Sequence, residues 1–182
     1  MEDQFPELSC LQQGDDRYGY EFLRGQWKNR PFEGFSYHYE TSSTDSKGNR
    51  QTTNHHFSVA FLVSEVPLQP LFIRPEGIFD KVASFFGKED INFESAEFSK
   101  KFYVKAENRK WAYDVIHTRV EEFLLNAPRF TIQLGGNRIF AYRDSIFAPA
   151  DYDAAAETLA GLLDMLPEYV VQQQTDQQTM KA

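Results

Sequence analysis

Gly34-Phe35-Ser36-Tyr37-His38-Tyr39-Glu40 and His56-Phe57-Ser58-Val59-Ala60-Phe61-Leu62 are the stretches that decide the fold. Phe35, Tyr37 and Tyr39 alternate with Ser36, His38 and Glu40; Phe57, Val59 and Phe61 alternate with Ser58, Ala60 and Leu62. Successive side chains of a strand point to opposite faces, so this period predicts two strands with one buried face. Residues 41–53 between them are rich in Ser, Thr and Asn. That composition predicts a long β-hairpin with a solvent-facing tip. Setting Phe35 opposite Phe61, Tyr37 opposite Val59 and Tyr39 opposite Phe57 matches apolar with apolar and leaves Lys47-Gly48-Asn49 as the loop.

Downstream, Val66-Pro67-Leu68-Gln69-Pro70 reads as a linker and residues 71–74 as a short strand, because proline cannot donate to a ladder. Ile78, Phe79, Val82, Phe85 and Phe86 recur at helical spacing and predict a helix over 77–86. Residues 101–106 read as a strand. Trp111, Val115, Val120, Phe123 and Leu124 predict one kinked helix or two short ones over 109–126, ended by Pro128. Phe130, Ile132 and Leu134, then Gly135-Gly136-Asn137, then Ile139 to Arg143 predict a second hairpin over 129–143. Pro149 opens a helix to about residue 166 with an apolar stripe through Leu159, Leu162 and Leu163. Upstream, residues 1–31 are aromatic and polar without a clear period, a strand or an irregular pad that turns near Asn29-Arg30-Pro31. The fold class is α+β, a mainly antiparallel sheet with two hairpins and helices on one face. Residues 1–170 read as one domain, with 1–17 a loosely ordered lead-in. Residues 171–182, rich in Gln, read as a disordered tail.

Composition bounds the function. The 182 residues carry a net charge of −8, with 17 Phe, 9 Tyr and 2 Trp. A chain this aromatic buries a core. A chain this acidic starts from repulsion toward phosphate, which argues against nucleic acid and against docking on an anionic membrane surface. The lone Cys10 forms no intrachain disulfide and reads as a packed thiol. The first residues are acidic, broken by Pro6 and lack the apolar core of a signal peptide. No apolar run approaches the ~20 residues that cross a bilayer. The expectation is a cytoplasmic, soluble chain.

Few residues suggest chemistry. In the favoured register Glu40 lies opposite His56, with His38 on the same face. Two imidazoles and a carboxylate suit Zn or Fe with an open coordination position, so His38, Glu40 and His56 are the candidate metal ligands. The competing reading is a polar cross-strand cluster. His117 at a helix junction suits a helix C-terminus, where a cation meets the negative end of the dipole. Glu121-Glu122 are adjacent on a helix and point in different directions, and Glu89-Asp90 and Glu94-Glu97 read as solvated. Gly135-Gly136 lacks the Lys-Ser/Thr of a phosphate loop. No organic cofactor is expected.

Ile91-Asn92-Phe93-Glu94-Ser95-Ala96-Glu97-Phe98-Ser99-Lys100-Lys101-Phe102, Trp111-Ala112-Tyr113-Asp114-Val115-Ile116-His117 and Phe140-Ala141-Tyr142-Arg143 carry a resemblance. They are similar to a family of uncharacterised bacterial proteins whose members often place predicted transmembrane helices before this domain. The resemblance spans most of residues 18–168. It implies a bacterial source and a domain that works beside a membrane through an anchor or partner. It supplies no catalytic residues. The functional expectation is a non-catalytic binding or regulatory module, for a protein partner or a small ligand. The alternative is a metal-dependent hydrolase or oxygenase using His38, Glu40 and His56.

Overall fold

The structure, a computed structural model, describes residue 5, residues 8–77 and residues 90–181. Strands β1 (Asp15–Trp27), β2 (Arg30–Thr44), β3 (Arg50–Pro75), β4 (Phe102–Ala106) and β5 (Thr131–Arg143) form one five-stranded antiparallel sheet. Helices α1 (Ala96–Lys101), α2 (Arg109–Val115), α3 (Thr118–Asn126), α4 (Pro149–Asp164) and α5 (Glu168–Lys181) complete the described chain. The α+β class holds. The helix expected over 77–86 lies, past Gly77, outside the described residues.

β3 organises the sheet. Its first half pairs with β2 as far as Leu62, and its last residues, Leu71–Pro75, pair with β4 on the same side. β5 runs along the other side of β3, from Ser58↔Arg143 to Ile73↔Ile132. The expected linker at 66–70 is therefore strand interior. Its prolines are tolerated because residues 63–70 fall between the β2 and β4 ladders, and the β5 register shifts between Val63 and Leu68 and again before Leu71. No ladder bond is lost to a missing N–H there.

The expected hairpin at 129–143 is also corrected. β5 runs straight through Gly135-Gly136-Asn137, and Gly136 takes φ +59 opposite Leu68 at the irregularity. The chain does contain a second hairpin, between β1 and β2. Lys28 and Asn29 have φ 48 and 64, the consecutive left-handed pair of a type I′ turn. The β2–β3 hairpin forms as expected, with its register two residues away: Phe35 faces Val59, Tyr37 faces Phe57 and His38 faces His56. The tip explains the shift. The Asp45 carboxylate accepts from the backbone of Lys47 and Asn49, both at 2.8 Å, and Gly48 sits at φ +84, so the loop spans residues 45–49. A shift of two keeps every side chain on its face.

Both faces of the sheet are buried. Ala60, Leu62, Leu71, Ile73, Ile132 and Ile139 pack under the helices with Trp111, Val120 and Leu159. Phe35, Tyr37, Phe57, Val59, Phe61, Phe72 and Phe140 line the opposite face. That face is covered by Phe5, Leu8, Cys10 and Leu11, so these residues of the expected lead-in are packed. Tyr37 Oη donates to the Leu11 carbonyl at 2.7 Å. The C-terminal segment expected to be disordered forms α5, with Val170 and Gln174 buried. Arg143 anchors the end of β5 to the first turn of α4 through Asp151 and lies over the rings of Phe130 and Phe147. Arg74 lies over the Tyr103 ring.

Candidate functional site

On the helix-side face of β1–β3, beyond the helices, the corrected register builds a file of polar rings. His38 is buried, and its Nδ1 lies 3.3 Å from His56 Nε2. His56 Nδ1 lies 3.0 Å from Tyr20 Oη. Burial, then the neighbouring Glu21, raises the Tyr20 pKa, so its hydroxyl keeps its proton. Each ring presents one nitrogen to each neighbour, so Tyr20 Oη, His56 and His38 form a continuous file of hydrogen-bonding atoms. His38 Nε2 faces Glu40, whose Oε1 is 4.0 Å away. The Tyr18 ring lies tilted against His38, 4.6 Å between centroids.

The structure brings His38 and Glu40 together and sets His56 against the other ring nitrogen. One ion on His38 Nε2 therefore cannot also take His56. The third donor on the carboxylate side is Asp16: ligand atoms of Asp16, His38 and Glu40 all lie within 4.8 Å of one another. Metal bonds of about 2.0–2.2 Å place donors closer than this, so the three would draw inward around an ion, with His56 orienting His38 from behind. Asp16 carries no periodicity signal. It sits at φ 47 in an edge-strand bulge between Asp15↔Glu40 and Tyr18↔His38. His55 lies on the opposite face, stacked on Tyr39, with Thr41 Oγ1 2.8 Å from its Nε2.

A second constellation lies in a cavity of about 610 Å³ between the 92–94 loop, α2 and α3. Local bonds fix its walls. Ser99 Oγ accepts from Phe93 N at 3.0 Å, Ser95 Oγ accepts from Phe98 N at 3.1 Å, and Ile91 N donates to the Val104 carbonyl. Tyr113 Oη donates to the Asn92 carbonyl at 3.1 Å, and its ring meets Phe93 edge-on at 5.3 Å. His117 Nε2 donates to the carbonyl of Met165, the C-cap of α4, at 3.0 Å. It serves a helix C-terminus as its sequence context suggests, but that of α4. Glu121, 6% exposed, lines the cavity. Its carboxyl pKa is raised by burial first, then by Glu94 and Glu122, against a lowering pull from His117. Glu121 has no distinguishing pattern of its own, because its place in the cavity depends on the 92–94 loop coming up against α3. Asn92, Phe93 and Glu94 from the loop, Tyr113 and Ile116 from the end of α2, and His117 and Thr118 line the same cavity.

No family model matches the chain, and no curated protein matches it. Among solved structures, the fold is that of the mycobacterial trehalose monomycolate transport factor A, TtfA, with a TM-score of 0.61 and 15% sequence identity over 92% of this chain and 85% of that one. No helix among the described residues is long and apolar enough to cross a membrane.

Proposed function

We propose that this chain is a non-catalytic binding module, an accessory factor that holds a small ligand or a segment of a partner. The observation that carries the reading is the cavity at Glu121. Its walls are fixed by their own hydrogen bonds, and the Glu121 side chain, 6% exposed and without a hydrogen-bond donor among the described residues, lines it with a carboxylate that solvent reaches. A ligand that donates to this carboxylate replaces water there with a charge-assisted hydrogen bond. The fold agrees with this role: its neighbour is described as a transport factor. Carriage needs recognition and release without bond chemistry. A partner in membrane transport belongs to the same proposal, by analogy of fold. Thermal-shift screening of small ligands tests it, followed by mass spectrometry of each stabilising compound. A binding module returns the compound intact. Conversion of more than one equivalent per chain overturns the reading.

Asp16 favours one second reading, a metal-dependent hydrolase or oxygenase. With His38 and Glu40 it offers two carboxylates and an imidazole, a donor set for Zn²⁺ or Fe²⁺. Elemental analysis of untagged protein, beside His38→Ala, decides it. One zinc or iron per chain, lost in the variant, supports the site. Metal-free wild-type protein removes it.

A further inference from the structure

Resting on the binding-module reading, we propose that the cavity bounded by Phe93, Tyr113, Ile116 and Glu121 is a site for a primary alkylammonium group. Its source is a free amine or a lysine side chain of a partner. Glu121 is buried, lines the cavity and has no donor among the described residues. The charged groups facing it are Glu94, Glu122 and His117. Two of these are anionic, and the His117 Nε2–H is committed to the Met165 carbonyl. The field at the cavity is therefore negative, and a cation is its complement.

The cation is organic rather than a bare ion. Glu94, Glu121 and His117 do not form a donor group drawn within 4.8 Å, whereas Asp16, His38 and Glu40 do. A ligand must bridge that wider spacing with its own body. The walls suit such a body. Phe93 and Tyr113 present aromatic surface, buried Ile116 adds an apolar contact, and the volume of about 610 Å³ falls in the range of small-ligand pockets. Aromatic rings attract alkylammonium groups through their faces. The ammonium donates to Glu121 and to Thr118, three residues earlier on the same helix, and its alkyl chain lies against Phe93 and Tyr113.

The test is an amide-shift titration of the whole chain with 1,5-diaminopentane, with a Gly-Gly-Lys-Gly-Gly peptide, and with neutral 1,5-pentanediol. The expected result is saturable shifts at 92–94, 113 and 117–121 with the diamine, the peptide or both, and none with the diol. The arm that binds names the source. Glu121→Gln should weaken binding by about tenfold or more, as loss of one charge-assisted bond implies. Glu121→Gln should also fold: removing a buried charge whose folded pKa is raised stabilises the chain at neutral pH. That gain disappears as pH falls below the ordinary carboxylate range, where Glu121 is protonated in both states. A melt of the variant checks this independently. Equal affinity in wild type and Glu121→Gln, equal response to the diol, or no shift at millimolar amine overturns the inference. If the amines fail while another compound binds and is returned intact, this site assignment falls and the binding-module reading stands. Turnover of any ligand overturns the module reading itself.

Discussion

Gly34 shows how one residue sets the distance between layers. A Cβ there would lie 2.6 Å from Tyr152 Cε1 and 3.3 Å from Leu23 Cγ, so the absent side chain is what lets α4 sit on β2. Gly34→Ala should therefore cost about 1–3 kcal/mol, despite the better strand propensity of alanine. Urea unfolding of Gly34→Ala, and of Gly34→Ala combined with Tyr152→Leu, checks the cause: the second change should restore part of the loss. Asp151 acts at the other end of the same contact. It accepts from Ala148 N at 2.9 Å and from Arg143. The Ala148 donor first, and Arg143 next, hold its carboxyl below the usual range. Stability from a carboxylate with a lowered folded pKa is complete above its unfolded pKa and fades as pH falls through the folded value. Asp151→Ala should lose about 1 kcal/mol at neutral pH, the usual scale of an N-terminal cap. The gap from wild type should close in acid. A gap that persists undiminished at every acidic pH where both proteins fold would show that the carboxylate charge has no part in it. Legibility at this scale is uneven. His38 and Glu40 stand out by strand period. Asp16 and Glu121 do not, because a bulge and a folded-back loop bring them into place.

Period alone also cannot distinguish a strand that turns back from one that continues. Gly135-Gly136-Asn137 has turn composition and apolar alternation on both sides, yet β5 continues through it. The long β3 offers a partner over its whole length, and Gly136 takes up the twist where Pro67 and Pro70 disturb that partner. Nothing lies within 4 Å of a Cβ built on Gly136, so substitution there reads backbone strain alone. Gly136→Ala should cost about 1–2 kcal/mol from the left-handed φ, and Gly136→Asn less. Equal stability of Gly136→Ala and wild type in urea would mean that β5 tolerates an ordinary φ there. α5 escaped the reading for a different reason. Gln-rich helices show little amphipathic pattern, and this one is held through Val170 and Gln174. Hydrogen exchange should find the amides of residues 171–174 protected, where a disordered tail exchanges freely. The β2–β3 hairpin and α4 carry their own signals of alternation, turn chemistry and an N-terminal proline, and those parts of the fold are legible, whereas β1 has no clear period.

At the scale of the whole molecule, the sheet is the middle layer. The alternation at Phe35–Tyr39 and Phe57–Phe61 correctly marks a buried face, but the helices lie on the other side. What covers the aromatic face is the segment ending at Leu11, whose few apolar residues show no period. Phe5 stacks on Phe35 at 5.6 Å and meets Phe61 edge-on at 5.2 Å, while Leu8 and Leu11 are fully buried. The lead-in is thus a structural layer. A Leu8→Ser/Leu11→Ser variant should lose several kcal/mol, since truncating one buried leucine costs about 2–5 kcal/mol. It should also bind a hydrophobic dye, because Phe35, Phe61 and Phe140 become accessible. The Glu121 cavity lies on the other side of the sheet, bounded by α2, α3 and the 92–94 loop, and contacts none of these residues. In the fraction that remains folded, amine affinity at Glu121 should therefore match wild type. An unchanged urea midpoint would refute the layer. A parallel loss of amine binding in the folded fraction would show that the aromatic face and the cavity form one cooperative unit, rather than two layers that share a sheet.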